Sequence, residues 1–194
     1  MIAKHETQQD SNALFGFWVY LMTDCVLFAS LFATYAVLHG NTNGGPTGQL
    51  LFSLPNVLLE TIILLTSSFT VGLAMLAAHR NKVQQTLVWF GVTFVLGLAF
   101  LGLELHEFSN FVYAGNSWTS SAFLSSFFTL VGTHGLHITV GLLWMGVMMT
   151  KLVTAGLTRA NLRRLSMLSL FWHFLDVIWI FIFTIVYLFG GVGI

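Results

Sequence analysis

Two stretches of this sequence hold side chains whose type and spacing suit chemistry. The first is S-L-F-W-H-F-L-D-V-I-W-I at 169–180. His173 and Asp176 are three apart there and share one helix face, with Trp172 and Trp179, seven apart, flanking the same side. The second is G-T-H-G-L-H at 132–137, where His134 and His137 have a spacing that could hold a metal ion, although neutral ligands alone define such a site weakly. Asp24, Glu60, Glu104 and Glu107 add acids to the apolar stretches. Three roles are open to the histidines and their acids. They can form an interhelical hydrogen-bond network that fixes packing, worth about 0.6 kcal/mol per bond in a membrane. They can serve lipid headgroups or collect protons, or they can ligate a metal or haem. Gly132, Gly135 and Gly141 around the second motif suit close helix packing and favour the network. Glu60, Glu104 and Glu107 read most simply as interfacial residues. No loop resembles a nucleotide cradle, and no serine or cysteine sits in a nucleophile motif.

The elements that must position these groups are hydrophobic and long. Five stretches, about 15–38, 56–78, 86–105, 121–150 and 165–189, can each cross a hydrocarbon core that takes roughly 20 helical residues. The fold expected is all-α, a polytopic membrane protein built as a bundle of five transmembrane helices (15–194) behind a polar cytoplasmic tail (1–14). The chain is 56% hydrophobic and 7% charged, with mean hydropathy +0.84, far from the roughly 25% charged content of soluble domains. Its 7 Lys+Arg and 7 Asp+Glu balance, so a nucleic-acid partner is not expected. Cys25 is the only cysteine, which excludes an internal disulfide and a thiolate metal cluster. The first apolar run is too long for a signal-peptide core, so the N-terminus is expected to be retained.

With five crossings, Lys4, Arg80, Lys82, Lys151, Arg159, Arg163 and Arg164 all fall on one side. The positive-inside rule makes that side cytoplasmic, with the N-terminus inside and the C-terminus periplasmic. Counting from these cations at 1.5 Å per residue places Asp176 about 18 Å and His137 about 21 Å along neighbouring antiparallel helices. A hydrogen bond between His137 and Asp176 is therefore expected. Asp24 lies in the same half of the bilayer, and the three glutamates lie near the outer ends of the second and third helices.

G-T-H-G-L-H at 132–137 and F-W-H-F-L-D-V-I-W-I at 171–180 resemble the subunit III family of the haem-copper terminal oxidases, and the likeness extends over nearly the whole chain. The run W-x-Y-L-M-x-D-C-x-L-F-x-x-x-F-A-T-Y-A-V-L from Trp18, G-G-P-T-G at 44–48, L-P-x-V-L-x-E-T at 54–61 and G-x-E-x-x-E-F at 102–108 are most similar to the bo-type, ubiquinol-oxidising branch. The resemblance implies a non-catalytic accessory subunit of a proton-pumping oxidase in the bacterial inner membrane, without a cofactor of its own. It implies haem b, haem o and copper in the large partner subunit, and oxidase subunits I, II and IV and membrane phospholipids as partners. It links the family to assembly, to stability, to lipid held between the helices, and to sustained proton uptake by the large subunit. Asp24 matches the family's buried acid in the first helix of this core, and Glu107 its acid in the third. His134, His137, Trp172, His173, Asp176 and Trp179 match its two long motifs. Glu60 and Glu104 stand where mitochondrial members have uncharged amides, so no role passes to them from that branch.

Other readings stay open on the sequence. The donor could be menaquinol or cytochrome c. In a different class, the chain could be an independent membrane haem or metal protein using His134, His137 and His173, or a small proton channel using Asp24, Asp176 and the histidines.

Overall fold

A computed structural model describes residues 2–42, 44 and 54–190, and the side chains of these from residue 12 onward. Five α-helices make up the described residues: α1 (Ile2–Leu38), α2 (Leu54–His79), α3 (Val83–Tyr113), α4 (Ala122–Ala155) and α5 (Arg159–Ile182), the last continuing as a wider π-helical stretch over Phe183–Phe189. Each contains a segment long and apolar enough to cross a membrane, and no strand occurs among the described residues. The glycine-rich first loop falls mostly on 45–53, and the C-terminus on 191–194, both outside the described residues.

Local chemistry explains where the helices begin and end. Pro55 lies in the first turn of α2, where its missing N–H costs nothing. The Ser121 side chain caps α4 by accepting the Leu124 N–H at 3.1 Å, and the Thr158 hydroxyl caps α5 by accepting the Asn161 N–H at 3.2 Å. Gly156, at φ +64° and ψ −164°, occupies backbone space that a side chain would strain, which lets α4 reverse into α5 within a three-residue turn.

Three boundaries differ most from those expected, and α4 also runs on to Ala155 rather than 150. The polar residues 2–14 continue α1 as helix, since nothing in them breaks a helix before Gly16. Helix α5 starts at Arg159 rather than 165, because the Thr158 cap precedes its basic first turns. Helix α3 runs to Tyr113, not 105. The stretch from Glu104 to Tyr113 is too polar to read as a membrane segment, yet it stays helical until Gly115 adopts φ +83°.

Ring contacts fix the register. Along α1 and α4, Phe17 meets Trp144, Phe28 meets His137 and Tyr35 meets Phe123, at centroid distances of 6.1, 5.2 and 6.2 Å, an antiparallel pairing. Phe32 against Phe181 and Tyr20 against Phe171 set α1 parallel to α5. Helix α5 is central, packing on α1, α2 and α4, while α2 and α3 form a close hairpin that leans on α5 and α4. Arg80, Lys82, Lys151, Arg159, Arg163 and Arg164 accordingly gather at one end of the bundle. Large apolar side chains such as Phe15, Val26, Phe69, Val95 and Leu143 cover its outside, as a lipid-facing surface requires.

Candidate functional site

The two indoles of α5 point at α2. Trp172 Nε1 donates to Ser67 Oγ at 3.0 Å, and Trp179 Nε1 donates to Thr61 Oγ1 at 3.1 Å. Both hydroxyls spend their own protons on α2 backbone carbonyls, Ser67 on Leu64 at 2.7 Å and Thr61 on Val57 at 2.8 Å. Each oxygen is thus free to accept, and every polar atom in these pairs is satisfied inside an apolar bundle. The Trp172 ring fills a slot between two glycines. A β-carbon built at Gly97 of α3 would sit 2.9 Å from Trp172 Cη2, and one at Gly141 of α4 would sit 3.1 Å from Trp172 Cζ3. Three helices therefore close on one ring, using small residues where the backbones must approach.

His173 lies at the rim of the α2–α5 contact, its side chain 44% exposed. Its Nδ1 is 2.6 Å from Ser68 Oγ and 3.9 Å from Asp176 Oδ2. Replacing Ser68 by Ala should remove one interhelical bond and lower stability by about 0.6 kcal/mol, read from an SDS-unfolding titration. A loss several times larger would show that His173 and Asp176 depend on Ser68 for their placement.

The carboxylate that faces His137 is Asp24 of α1, not Asp176. The Asp24 Oδ2 to His137 Nε2 distance is 3.7 Å, a charge contact slightly beyond a direct hydrogen bond. Position along a helix does not determine which side of it a residue occupies. Phe28 packs on His137 and holds α1 against that face of α4, whereas Asp176 is turned toward the α2 side. His137 Nδ1 donates to the Thr133 carbonyl at 2.7 Å, which leaves Nε2 as the nitrogen that meets Asp24.

His134 does something else. It is fully buried, neither ring nitrogen has a hydrogen-bond partner, and the ring stacks on Trp179 at 5.2 Å and 29°. Phe100 stands edge-on to both rings. The two histidines of the H-x-x-H motif thus diverge, one into the core and one toward α1. Among the described residues, no group of three or more histidines, cysteines or acids could hold a metal ion.

Of the three glutamates expected at the interface, two are buried inside the bundle and Glu107 is half-buried. Glu60 is 3% and Glu104 2% exposed. Glu107 accepts a hydrogen bond from the Tyr187 hydroxyl at 3.2 Å, and the Glu104 carboxylate presses on α4 at Gly135, where a β-carbon would come within 2.6 Å of it. The continuation of α3 past 105 and the π-helical end of α5, which turns Tyr187 inward, enclose this cluster. Ser67, Thr61, Gly97 and Tyr187 were not apparent as site residues from the sequence. A hydroxyl on a membrane helix can always bond its own backbone, so only the position of the indoles singles out Ser67 and Thr61.

With this geometry in view, comparison with known proteins is direct. A family model described as cytochrome c oxidase subunit III matches residues 1–191. The chain belongs to the cytochrome c oxidase subunit III family. Its two family-like motifs lie on α4 and α5 and meet where His134 stacks on Trp179. Relatives in the subunit III family include the cytochrome bo(3) ubiquinol oxidase subunit 3 of Pseudomonas aeruginosa, 59% identical over 96% of this chain and 90% of the relative. The cytochrome c oxidase subunit 3 of Bacillus sp. strain PS3 is 47% identical over 98% of this chain and 92% of the relative. The quinol oxidase subunit 3 of Bacillus subtilis is 42% identical over 99% and 95%. Subunit III membership thus spans more than one electron donor.

Proposed function

We propose that this chain is the accessory third subunit of a bo-type ubiquinol oxidase in a bacterial inner membrane. Its N-terminal tail and basic end face the cytoplasm and its C-terminus the periplasm, the orientation favoured by the gathering of cations at one end. The single observation that carries the reading is similarity over nearly full length to a ubiquinol oxidase subunit 3 at 59% identity, against 47% to a relative named for cytochrome c. Quinol oxidation and oxygen reduction belong to the large subunit, with its haem b, haem o and copper, and subunits I, II and IV complete the assembly. This chain braces that subunit within the bilayer and holds lipid beside it. Asp24 and His137, at one depth, support sustained proton uptake by the partner. Glu107, Trp172, His173, Asp176 and Trp179 keep the helices that present this pair in register.

Tagging the chain and purifying what remains attached tests the reading. The eluate should contain both haems and oxidise ubiquinol. An eluate that oxidises reduced cytochrome c and not ubiquinol would refute the assignment of donor. In an oxidase lacking the chain, initial turnover per haem should stay within about twofold, a barrier change of about 0.4 kcal/mol. The activity should then decay faster during turnover. Immediate loss of turnover with the complex intact would contradict a non-catalytic role.

A further inference from the structure

A cavity of 430 Å³ opens between the first turns of α2 and the last turns of α3, lined by Glu60, Glu107, His106, Asn56, Asn110 and apolar neighbours. Glu60 is more than nine-tenths buried, lines this cavity, and its Oε2 has no hydrogen-bond partner. A buried carboxylate oxygen left open in this way is costly unless something supplies a donor. Among the described side chains no lysine or arginine supplies it, because Arg80, Lys82, Lys151, Arg159, Arg163 and Arg164 sit at the opposite end of the bundle. Glu104 and Glu107 lie close enough to Glu60 to interact with it electrostatically, so the three carboxyl groups converge on one region between α2, α3 and α5.

We propose that this cavity holds the ammonium group of a phosphatidylethanolamine, with the Glu60 and Glu107 carboxylates as acceptors. Three features favour an amine-bearing lipid. No three acids or histidines among the described residues converge well enough to coordinate a metal ion, which leaves a cation bound through N–H donors. Glu60 is six residues from the start of α2 and Glu107 six from the end of α3, about 9 Å in from each helix end, the depth of lipid headgroups and the upper acyl chains. Exposed Ile62 and Leu65 on α2, and Leu98 and Leu105 on α3, lie deeper along the helices than the two carboxylates, an apolar surface for the acyl chains. The site is remote from the Asp24–His137 pair and does not depend on which electron donor the assembled oxidase uses.

Native mass spectrometry of the intact oxidase, released from nanodiscs of defined lipid, tests this. Wild-type protein should retain phosphatidylethanolamine over phosphatidylcholine of the same chains by about tenfold, since the quaternary headgroup has no N–H to donate. The Glu60→Gln/Glu107→Gln double variant, close to isosteric, should lose that preference while retaining other lipids equally. The wild-type comparison needs no variant and stands even if the double variant assembles poorly. Equal retention of both lipids by wild type, or an undiminished preference in the double variant, would overturn the proposal. In phosphatidylglycerol nanodiscs, free ethanolamine should not raise the melting temperature. If it did so in wild type alone, the ligand would be a soluble amine and not the lipid, and magnesium doing so would show a metal site instead.

Discussion

Trp172→Ala should destabilise the folded chain by about 3 kcal/mol, the low end of the range for removing a buried aromatic ring. The ring is fully buried and occupies the slot between Gly97 and Gly141 at the junction of α3, α4 and α5, with its Nε1 tied to Ser67 of α2. Lipid tails are as apolar as the protein interior, so the transfer of a ring out of the bundle gains or loses little. What disappears is the set of close contacts the ring makes with three helices, and the two glycines facing it have no side chains to refill the slot. Ser67 loses a donor but keeps its own bond to the Leu64 carbonyl, so no buried hydroxyl proton is stranded. Trp172→Phe should cost much less, because it preserves most of the ring and forfeits mainly the indole bond. SDS-unfolding titrations of the two variants would check this. Equal losses for Ala and Phe would mean that the hydrogen bond, rather than the filling of the slot, holds the helices together.

Gly97→Ala should destabilise by about 1–3 kcal/mol through overpacking, even though alanine gains about 0.8–1 kcal/mol over glycine in an unobstructed helix. The new methyl meets two atoms at 2.9 Å, Leu142 Cδ2 and Trp172 Cη2. The leucine tip can rotate aside, but the clash prevails because the indole belongs to a rigid ring held by Ser67 on one side and confined by Gly141 on the other. Gly91 provides the control on the same helix. A β-carbon there meets nothing within 4 Å, so Gly91→Ala should be neutral or stabilising. Adding Trp172→Phe to Gly97→Ala removes the rigid obstruction and leaves only the movable Leu142 tip, so it should recover much of the loss, a coupling that a double-mutant cycle measures. Simple additivity of the two changes would show that the alanine is accommodated elsewhere.

The sequence discloses the framework well because membrane helices are constrained more tightly than soluble ones. Backbone polar groups must be satisfied within each span, so length and hydropathy alone count five crossings. The cations then align them. Side-chain partners are less legible. Counting residues from Arg164 and Lys151 gives depth but not helix face, which is how His137 came to be matched with Asp176 when the structure sets it beside Asp24. Hydropathy also stops at Leu105, since it weighs Glu107 and Asn110 by polarity, whereas α3 continues because no residue before Gly115 ends it. That extension, together with the π-helical turn that brings Tyr187 over Glu107, encloses a cluster in which Glu60 and Glu104 are buried and Glu107 is half-buried. Neither feature has a signature in composition or periodicity.

The central claim is that the histidines and acids of these five helices serve packing, protons and lipid, and that electron carriers lie in the partner. It is tested most directly by separating this chain from the purified oxidase and measuring haem, copper and iron per mole. The separated chain should be colourless, with none of the three approaching one equivalent, while the remaining complex keeps its full complement. A Soret band, or one equivalent of iron or copper, in the separated chain would contradict the claim.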